Sequence, residues 1–283
     1  MKSLSLKSSI VASIISLVAS ATAIAQVAAP DRAKLGSTLF KWEQLAAKPT
    51  PVGQFRAVVD NVSTPTFEKL ELHVTTLKPG MASHPPHHHP QEEMILVKEG
   101  VVEASINGQT YRAGPGSLFF YAANDVHNLT NVGSTPATYF VINVFTAATR
   151  AAPNKPAAES ASPEMLRSSA FDWEKLAATP TKTGARRVIV ESPTVTFSKF
   201  EAHATTLNPG VILAPHPDAD EELIIVKEGE LEVIINGKTE RVGPGSILFF
   251  ASNEIRDMRN SGKTQTTHHV LRFFTDKTPK ASN

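Results

Sequence analysis

The chain is expected to be all-β: two tandem β-barrels with short flanking helices. Three observations predict this. The first is a long internal duplication. Residues 40–47 (FKWEQLAA) recur as 171–178 (FDWEKLAA), and 71–80 (ELHVTTLKPG) as 201–210 (EAHATTLNPG). Residues 95–100 (ILVKEG) return as 224–229 (IIVKEG), and the turn at 114–117 (GPGS) returns at 243–246. A repeat unit this long is a whole duplicated domain, not a solenoid turn. The second observation is Asn107-Gly108 and Asn236-Gly237, each set between alternating apolar runs, which is the strongest short-range hairpin signal. The third is composition: 20 prolines and 15 glycines, with many Val, Ile and Thr, favour turns and strands over helices.

The elements follow in order. Residues 1–25 read as a secretory signal peptide. Lys2 and Lys7 form the basic start, 10–18 the apolar core, and Ala23-Ile24-Ala25 a small-x-small cleavage site. The apolar run is shorter than the ~20 residues of a spanning helix. Cleavage after Ala25 is expected, with a periplasmic or secreted product and no membrane attachment afterwards. No Cys follows for a lipid anchor, and no twin-Arg pair is present. The first barrel is assigned to 36–147, a linker rich in Ala, Pro and Ser to 148–167, the second barrel to 168–276, and a disordered tail to 277–283. The repeated segments around Phe40/Trp42 and Phe171/Trp173 are expected as short helices packed on each barrel. Runs at 101–106 and 231–235 are incoming hairpin strands, and runs at 117–121 and 246–250 are buried strands after a Gly-Pro-Gly turn.

Composition excludes several function classes. With no cysteine, disulfides, thiol catalysis and thiolate metal sites are ruled out. The formal charge is +1, and loss of Lys2 and Lys7 leaves a mature chain near neutrality. Such a chain has no electrostatic footprint for nucleic acid.

The chemistry concentrates in His84-Pro85-Pro86-His87-His88-His89-Pro90-Gln91-Glu92-Glu93, bracketed by Gly80 and Gly100. Gly108, Pro115, Gly116, His127 and Asn131 form a second cluster. In a strand, residues i and i+2 share a face, so His87 and His89 aim into one cavity while His88 turns away. Glu93 joins from the next pairing position, and His127 comes from a strand distant in sequence. His87, His89, Glu93 and His127 are therefore the candidate metal ligands. Three neutral imidazoles and one carboxylate suit one divalent transition metal: Mn, Fe, Ni, Cu or Zn.

At these residues the sequence resembles the cupin superfamily. Both family motifs are readable, with one extra residue between Gly80 and His87. The resemblance implies a bicupin of two jelly-roll barrels. It implies the ligand set of three histidines and one glutamate at His87, His89, His127 and Glu93.

The second half differs at these positions. Glu222 matches Glu93, Asp218 matches His89, His216 matches His87, Arg256 matches His127, and Asn260 still matches Asn131. A guanidinium cannot ligate a metal. Arg256 is expected to reach into the old site and pair with Glu222 or Asp218, leaving the second barrel metal-free; binding of an anion through Arg256 is a lesser reading.

His73 and His203 read as structural strand residues, and His84 either as a proton carrier beside the ligands or as a polar loop residue. Glu92 competes with Glu93 for the ligand role. His268 and His269 receive no function. Phe119, Tyr121, Tyr139 and Phe145 are candidate pocket walls. The resemblance implies a metal-dependent enzyme acting on a small phenolic, enol or carboxylate substrate, with a dioxygenase-type reaction favoured. The alternatives are a non-catalytic sugar-, carboxylate- or metal-binding protein, and a metal-dependent isomerase, hydrolase or decarboxylase. A homo-oligomer is also compatible.

Overall fold

A computed structural model describes residues 34–280. The expected leader over 1–25 and the last tail residues, 281–283, lie outside the described residues. Each half folds into a jelly-roll barrel of two antiparallel layers. In the first, a seven-stranded sheet runs in the order Ser169–Phe171, Leu118–Tyr121, Glu92–Glu99, Ala137–Phe145, Lys69–Leu77, Gly53–Val62, Lys48–Thr50. It faces a three-stranded sheet of Gln109–Ala113, Val102–Ile106 and His127–Asn131. The second half repeats this with seven and four strands. The expected hairpins form, and Asn107 and Asn236 take the positive φ (47° and 52°) that such turns require. No helix among the described residues is long and apolar enough to cross a membrane.

The large sheets are buried on both faces, and side-chain alternation divides their residues. In Glu92–Glu99, Ile95 and Val97 enter the barrel interior, while Met94 and Leu96 point outward. The outward residues meet Phe200, Leu223, Phe249 and Phe273 of the other half in one shared core. The interiors form two separate clusters, one per barrel. Full burial of each such side chain stabilises by roughly 1.5–3 kcal/mol, so the shared core holds the barrels together.

The segments around the two tryptophans correct one expectation. Each is a three-residue strand followed by a single 3-10 turn, and each packs on the opposite barrel. Thr38–Phe40 pairs with Ile247–Phe250 of the second half, and Ser169–Phe171 pairs with Leu118–Tyr121 of the first. The expected barrel limits, 36–147 and 168–276, follow the duplication, but the sheets exchange their edge strands across it. The edges of Leu118–Tyr121 and Ile247–Phe250 are thereby paired rather than left open. Trp42 lies between the Lys98 ammonium and the Arg56 guanidinium, 4.5 and 4.7 Å from its ring. Trp173 is held alike by Lys227 and Arg187, each 4.6 Å away. Both rings rest on a glycine of the other half. Gly116 has φ +90°, and a Cβ there would lie 2.7 Å from the Trp173 ring; Gly245 (φ +93°) meets Trp42 in the same way.

The crossover 148–167 is tied to the first barrel. A capping box at Thr146 starts the helix Ala147–Ala151, and buried Ala157 opens the helix Ala157–Ser160. The Asp125 carboxylate accepts from the Ala158 amide (3.1 Å) and the Ser168 hydroxyl (2.6 Å). The described part of the tail closes in a turn, with the Lys277 amide donating to Thr275 Oγ1.

Two buried carboxylates stitch the halves reciprocally. Glu92 accepts from Thr194 Oγ1 (2.6 Å) and the Val195 amide (2.9 Å). Glu221 accepts from Thr64 Oγ1 (2.7 Å) and the Thr66 amide (3.1 Å). Burial pushes each carboxyl up to about 7, against the hydrogen bonds that favour the anion.

Two outcomes follow from this architecture. Gly116→Ala forces an unfavourable φ and a collision with Trp173, so it should cost about 2 kcal/mol or more in thermal or urea unfolding. Glu221 has a folded pKa near 7 against 4.5 unfolded. Its stabilising proton is thus fully held below pH 4.5 and lost as pH rises through 7. Buried histidines held below their ordinary value act with the opposite sign over the same window, so the readout is a difference: in urea titrations at pH 5 and pH 8, Glu221→Gln should gain stability relative to the parent as pH rises.

Candidate metal centre

His87 enters the site on an isolated antiparallel bridge to His127. The His87 amide donates to the His127 carbonyl at 3.1 Å, and the His127 amide returns to the His87 carbonyl at 2.9 Å. His89 follows two residues later on the same face. The three rings converge: centroids are 4.6 Å apart for His87–His127, 4.9 Å for His89–His127 and 5.3 Å for His87–His89. One nitrogen from each lies within 4.8 Å of the other two. Pro90 ends the incoming segment, and Glu93 sits on the next strand, paired with Tyr121 and Asn143. Its carboxylate lies 3.5 Å from His89 Nε2 and 3.9 Å from His127 Nε2. The four sequence-assigned residues therefore share one place.

Hydrogen bonding orients the rings. Nδ1 of His127 donates to the Asp125 carbonyl (2.8 Å), Nδ1 of His89 to the Gln91 carbonyl (2.9 Å), and Nδ1 of His87 to the His127 carbonyl (3.3 Å). With Nδ1 carrying the proton, each Nε2 keeps its lone pair. Nε2 of His89 and of His127 is buried and has no hydrogen-bond partner. Buried polar atoms normally have one, and a metal ion at their convergence satisfies both. The donor set fits a divalent transition metal.

Electrostatics agrees. Burial brings His127 down to about 4, so it is neutral at physiological pH. Burial, with its neighbours His84 and His89, also lowers His87. His89 is raised despite burial, because the Glu93 carboxylate faces it at 3.5 Å. Glu93 is held below its ordinary value despite burial, by His89, His127 and the carboxamide of its cross-strand neighbour Asn143. Asn143 was not singled out from the sequence, although its counterpart in the duplication, Arg272, marks it as a position that diverged with the site.

The ligands open into a cavity of about 640 Å³. His84 stands at its rim, exposed, with its ring 3.9 Å from that of His87. His88 is exposed and outside the cluster. Glu92 points into the neighbouring barrel, which separates it from Glu93. Of the expected aromatic walls, Tyr121 and Tyr139 line the cavity. Phe119 and Phe145 do not: Phe119 is core filling deeper in the barrel, and Phe145 lies at a strand end beneath Lys69. His73 also lines the cavity, against Phe55 at 4.9 Å, with Nδ1 3.2 Å from the Glu71 carboxylate.

In the second barrel the equivalent site is closed by ion pairs. Arg256 bonds to Asp218 and Glu222 and lies 3.3 Å from His216 Nε2. Arg272 grips Asp220 with two bonds of 2.8 and 2.7 Å. Arg186 reaches Glu201 at 2.8 Å and His203 at 3.2 Å. Burial and the charge of Arg272 bring Arg256 down to about 10, so it stays cationic at neutral pH. His268 is buried in this barrel, and His269 donates to the Gly116 carbonyl (2.9 Å) across the interface. Arg256→Ala removes the nearer cation from buried Glu222 and half-buried Asp218, leaving them only Arg272 at 3.7 and 3.4 Å, and should cost about 3 kcal/mol, measured as a fall in Tm; metal content should not change.

A family model described as "Cupin domain" matches residues 73–143 and again 203–270. A search of curated proteins found no match. Among solved structures, the salicylate 1,2-dioxygenase of Pseudaminobacter salicylatoxidans superposes with a TM-score of 0.63 at 16% identity, covering 86% of this chain and 85% of that one. The oxalate decarboxylase of Lactobacillus farciminis gives 0.62 at 14% identity, with 87% and 88% covered. AerE of Microcystis aeruginosa gives 0.61 at 17% identity, with 81% and 98% covered. At these identities the likeness is one of fold. The doubled family match, the doubled barrel and, among the described residues, one cluster of three histidines agree, and the chain belongs to the cupin superfamily as a bicupin with its metal motif intact in the first barrel only.

Proposed function

We propose that the chain is an exported metal-dependent enzyme acting on a small phenolic, enol or carboxylate substrate, with a dioxygenase-type reaction favoured. One observation carries this reading: three oriented imidazoles and Glu93 stand at the end of a cavity large enough for a single-ring substrate. The ligand set His87, His89, His127 and Glu93 leaves room for substrate oxygens. A bound metal supplies Lewis acidity toward those oxygens.

The chain's own residues do the rest. Val52, Phe55, Ile95, Leu129 and Val141 give the cavity apolar walls that displace water. Asn143 and the carbonyls of Gln91 and Asp125 hold the ligands in place. His73, its Nδ1 facing the Glu71 carboxylate, gives the cavity a polar wall that the second barrel shares as His203 and Glu201. His84 at the rim offers a proton relay to solvent. The second barrel, closed by Arg256, acts as scaffold. The fold shared with a salicylate dioxygenase and an oxalate decarboxylase supports metal-centred chemistry on small oxygenated acids. The single site favours the dioxygenase. Export rests on the leader and predicts a mature chain starting at Gln26.

The test is elemental analysis of the exported protein beside His87→Ala/His127→Ala, followed by oxygen uptake with phenolic and enol substrates. About one metal per chain is expected, lost in the variant together with oxygen consumption. Carbon dioxide release from small acids without oxygen uptake would move the reading to a decarboxylase. Thermal stabilisation by a ligand without turnover would move it to a binding protein.

A further inference from the structure

Five buried polar atoms without a hydrogen-bond partner belong to residues lining the cavity at the metal centre: Nε2 of His89 and His127, the hydroxyls of Tyr121 and Tyr139, and Oδ1 of Asn143. The two nitrogens are accounted for by a metal. The two phenols are not. Tyr121 is 1% exposed and stacks on His127, with centroids 4.3 Å apart and planes at 19°. Tyr139 is 2% exposed, on the strand next to Glu93; the hydroxyls of Ser83 and Thr75 flank it outside hydrogen-bonding geometry. A buried hydroxyl left unpaired costs free energy that the ring alone would not.

The duplication supplies an internal control. In the second barrel the position of Tyr121 is Phe250: Tyr121 pairs with Glu93 as Phe250 pairs with Glu222. The ring is kept and the hydroxyl is gone, so the fold needs the ring there and not the oxygen. The position of Tyr139 is His268, paired with Thr205 and Val226 as Tyr139 is with Thr75 and Val97. Glu71 and His73, by contrast, persist as Glu201 and His203. Both phenols therefore accompany the intact metal motif and disappear where Arg256 has replaced it.

We propose that the hydroxyls of Tyr121 and Tyr139 form an oxyanion-binding pair, donating hydrogen bonds to the anionic oxygen of a phenolate, enolate or carboxylate substrate held at the metal centre. This rests on the metal-enzyme reading above and names the substrate feature it selects. A tyrosine hydroxyl carries its proton at neutral pH, so each phenol is a donor there. The pair selects substrates with an ionised or ionisable oxygen over neutral aromatics of the same size.

The experiment uses Tyr121→Phe, Tyr139→Phe and the double variant, which keep both rings. In the metal-free proteins, Tm should stay unchanged or rise, because no hydrogen bond of the folded chain is removed; a clear fall would assign the hydroxyls a structural role and overturn the proposal. In the zinc-loaded proteins, metal content should match the parent. Titration with 4-nitrocatechol, followed by its absorbance, should show Kd rising roughly tenfold or more per hydroxyl removed. Equal Kd in parent and double variant, with zinc retained, would overturn this proposal alone. A parent chain that takes up no zinc or other divalent metal would overturn the metal-enzyme reading and this proposal with it.

Discussion

The structure depends on the burial of its large sheets on both faces. Each central strand gives alternate residues to its own barrel and to the core between the barrels, so a slip of one residue would exchange the two sets. Glu92 and Glu93 show the consequence. They are neighbours of identical chemistry, yet Glu92 is held by Thr194 and the Val195 amide in the other half, and Glu93 lies among His89, His127 and Asn143. The register that packs Met94 and Leu96 into the shared core also delivers Glu93 to the imidazoles. Metal centre and barrel association are set by one constraint.

The exchange of edge strands works in the same direction. Thr38–Phe40 and Ser169–Phe171 each complete the sheet of the opposite barrel, and each tryptophan is seated on the other half's glycine. The halves are thus joined by a continuous apolar core, reciprocal strands and reciprocal carboxylates. A second barrel without a metal site still has a task here: it closes the sheet that carries Tyr121 and supplies the partners of Glu92.

The two interiors show how one scaffold diverges. In the first, imidazoles, phenols and a carboxamide surround a cavity. In the second, Arg186, Arg256 and Arg272 meet Glu201, Asp218, Asp220 and Glu222. The guanidiniums stand where Phe55, His127 and Asn143 stand in the first barrel. Each adds a fixed positive charge beside carboxylates that would otherwise be buried and unpaired. The space that accepts a ligand in one half is filled by ion pairs in the other.

Much of this was legible from the chain. The duplication, the Asn-Gly hairpins and the alternation gave two barrels, and the i, i+2 spacing of His87 and His89 with His127 and Glu93 marked the site. The substitution at Arg256 announced that the second site is closed, because a guanidinium cannot ligate a metal whatever its surroundings. These are local properties: periodicity, turn chemistry and the donor inventory of a side chain. Other features needed the folded chain. The sequence shows two alike tryptophan segments but not that each crosses to the other barrel, since strand exchange depends on which edge is free in space. It marks Phe119 and Tyr121 as equals on one face of one strand, and only depth in the barrel separates core filler from cavity wall. That His73 lines the cavity and that Asn143 lies across from Glu93 emerge only in the fold. Those roles are contacts between strands distant in sequence, and no local pattern encodes them.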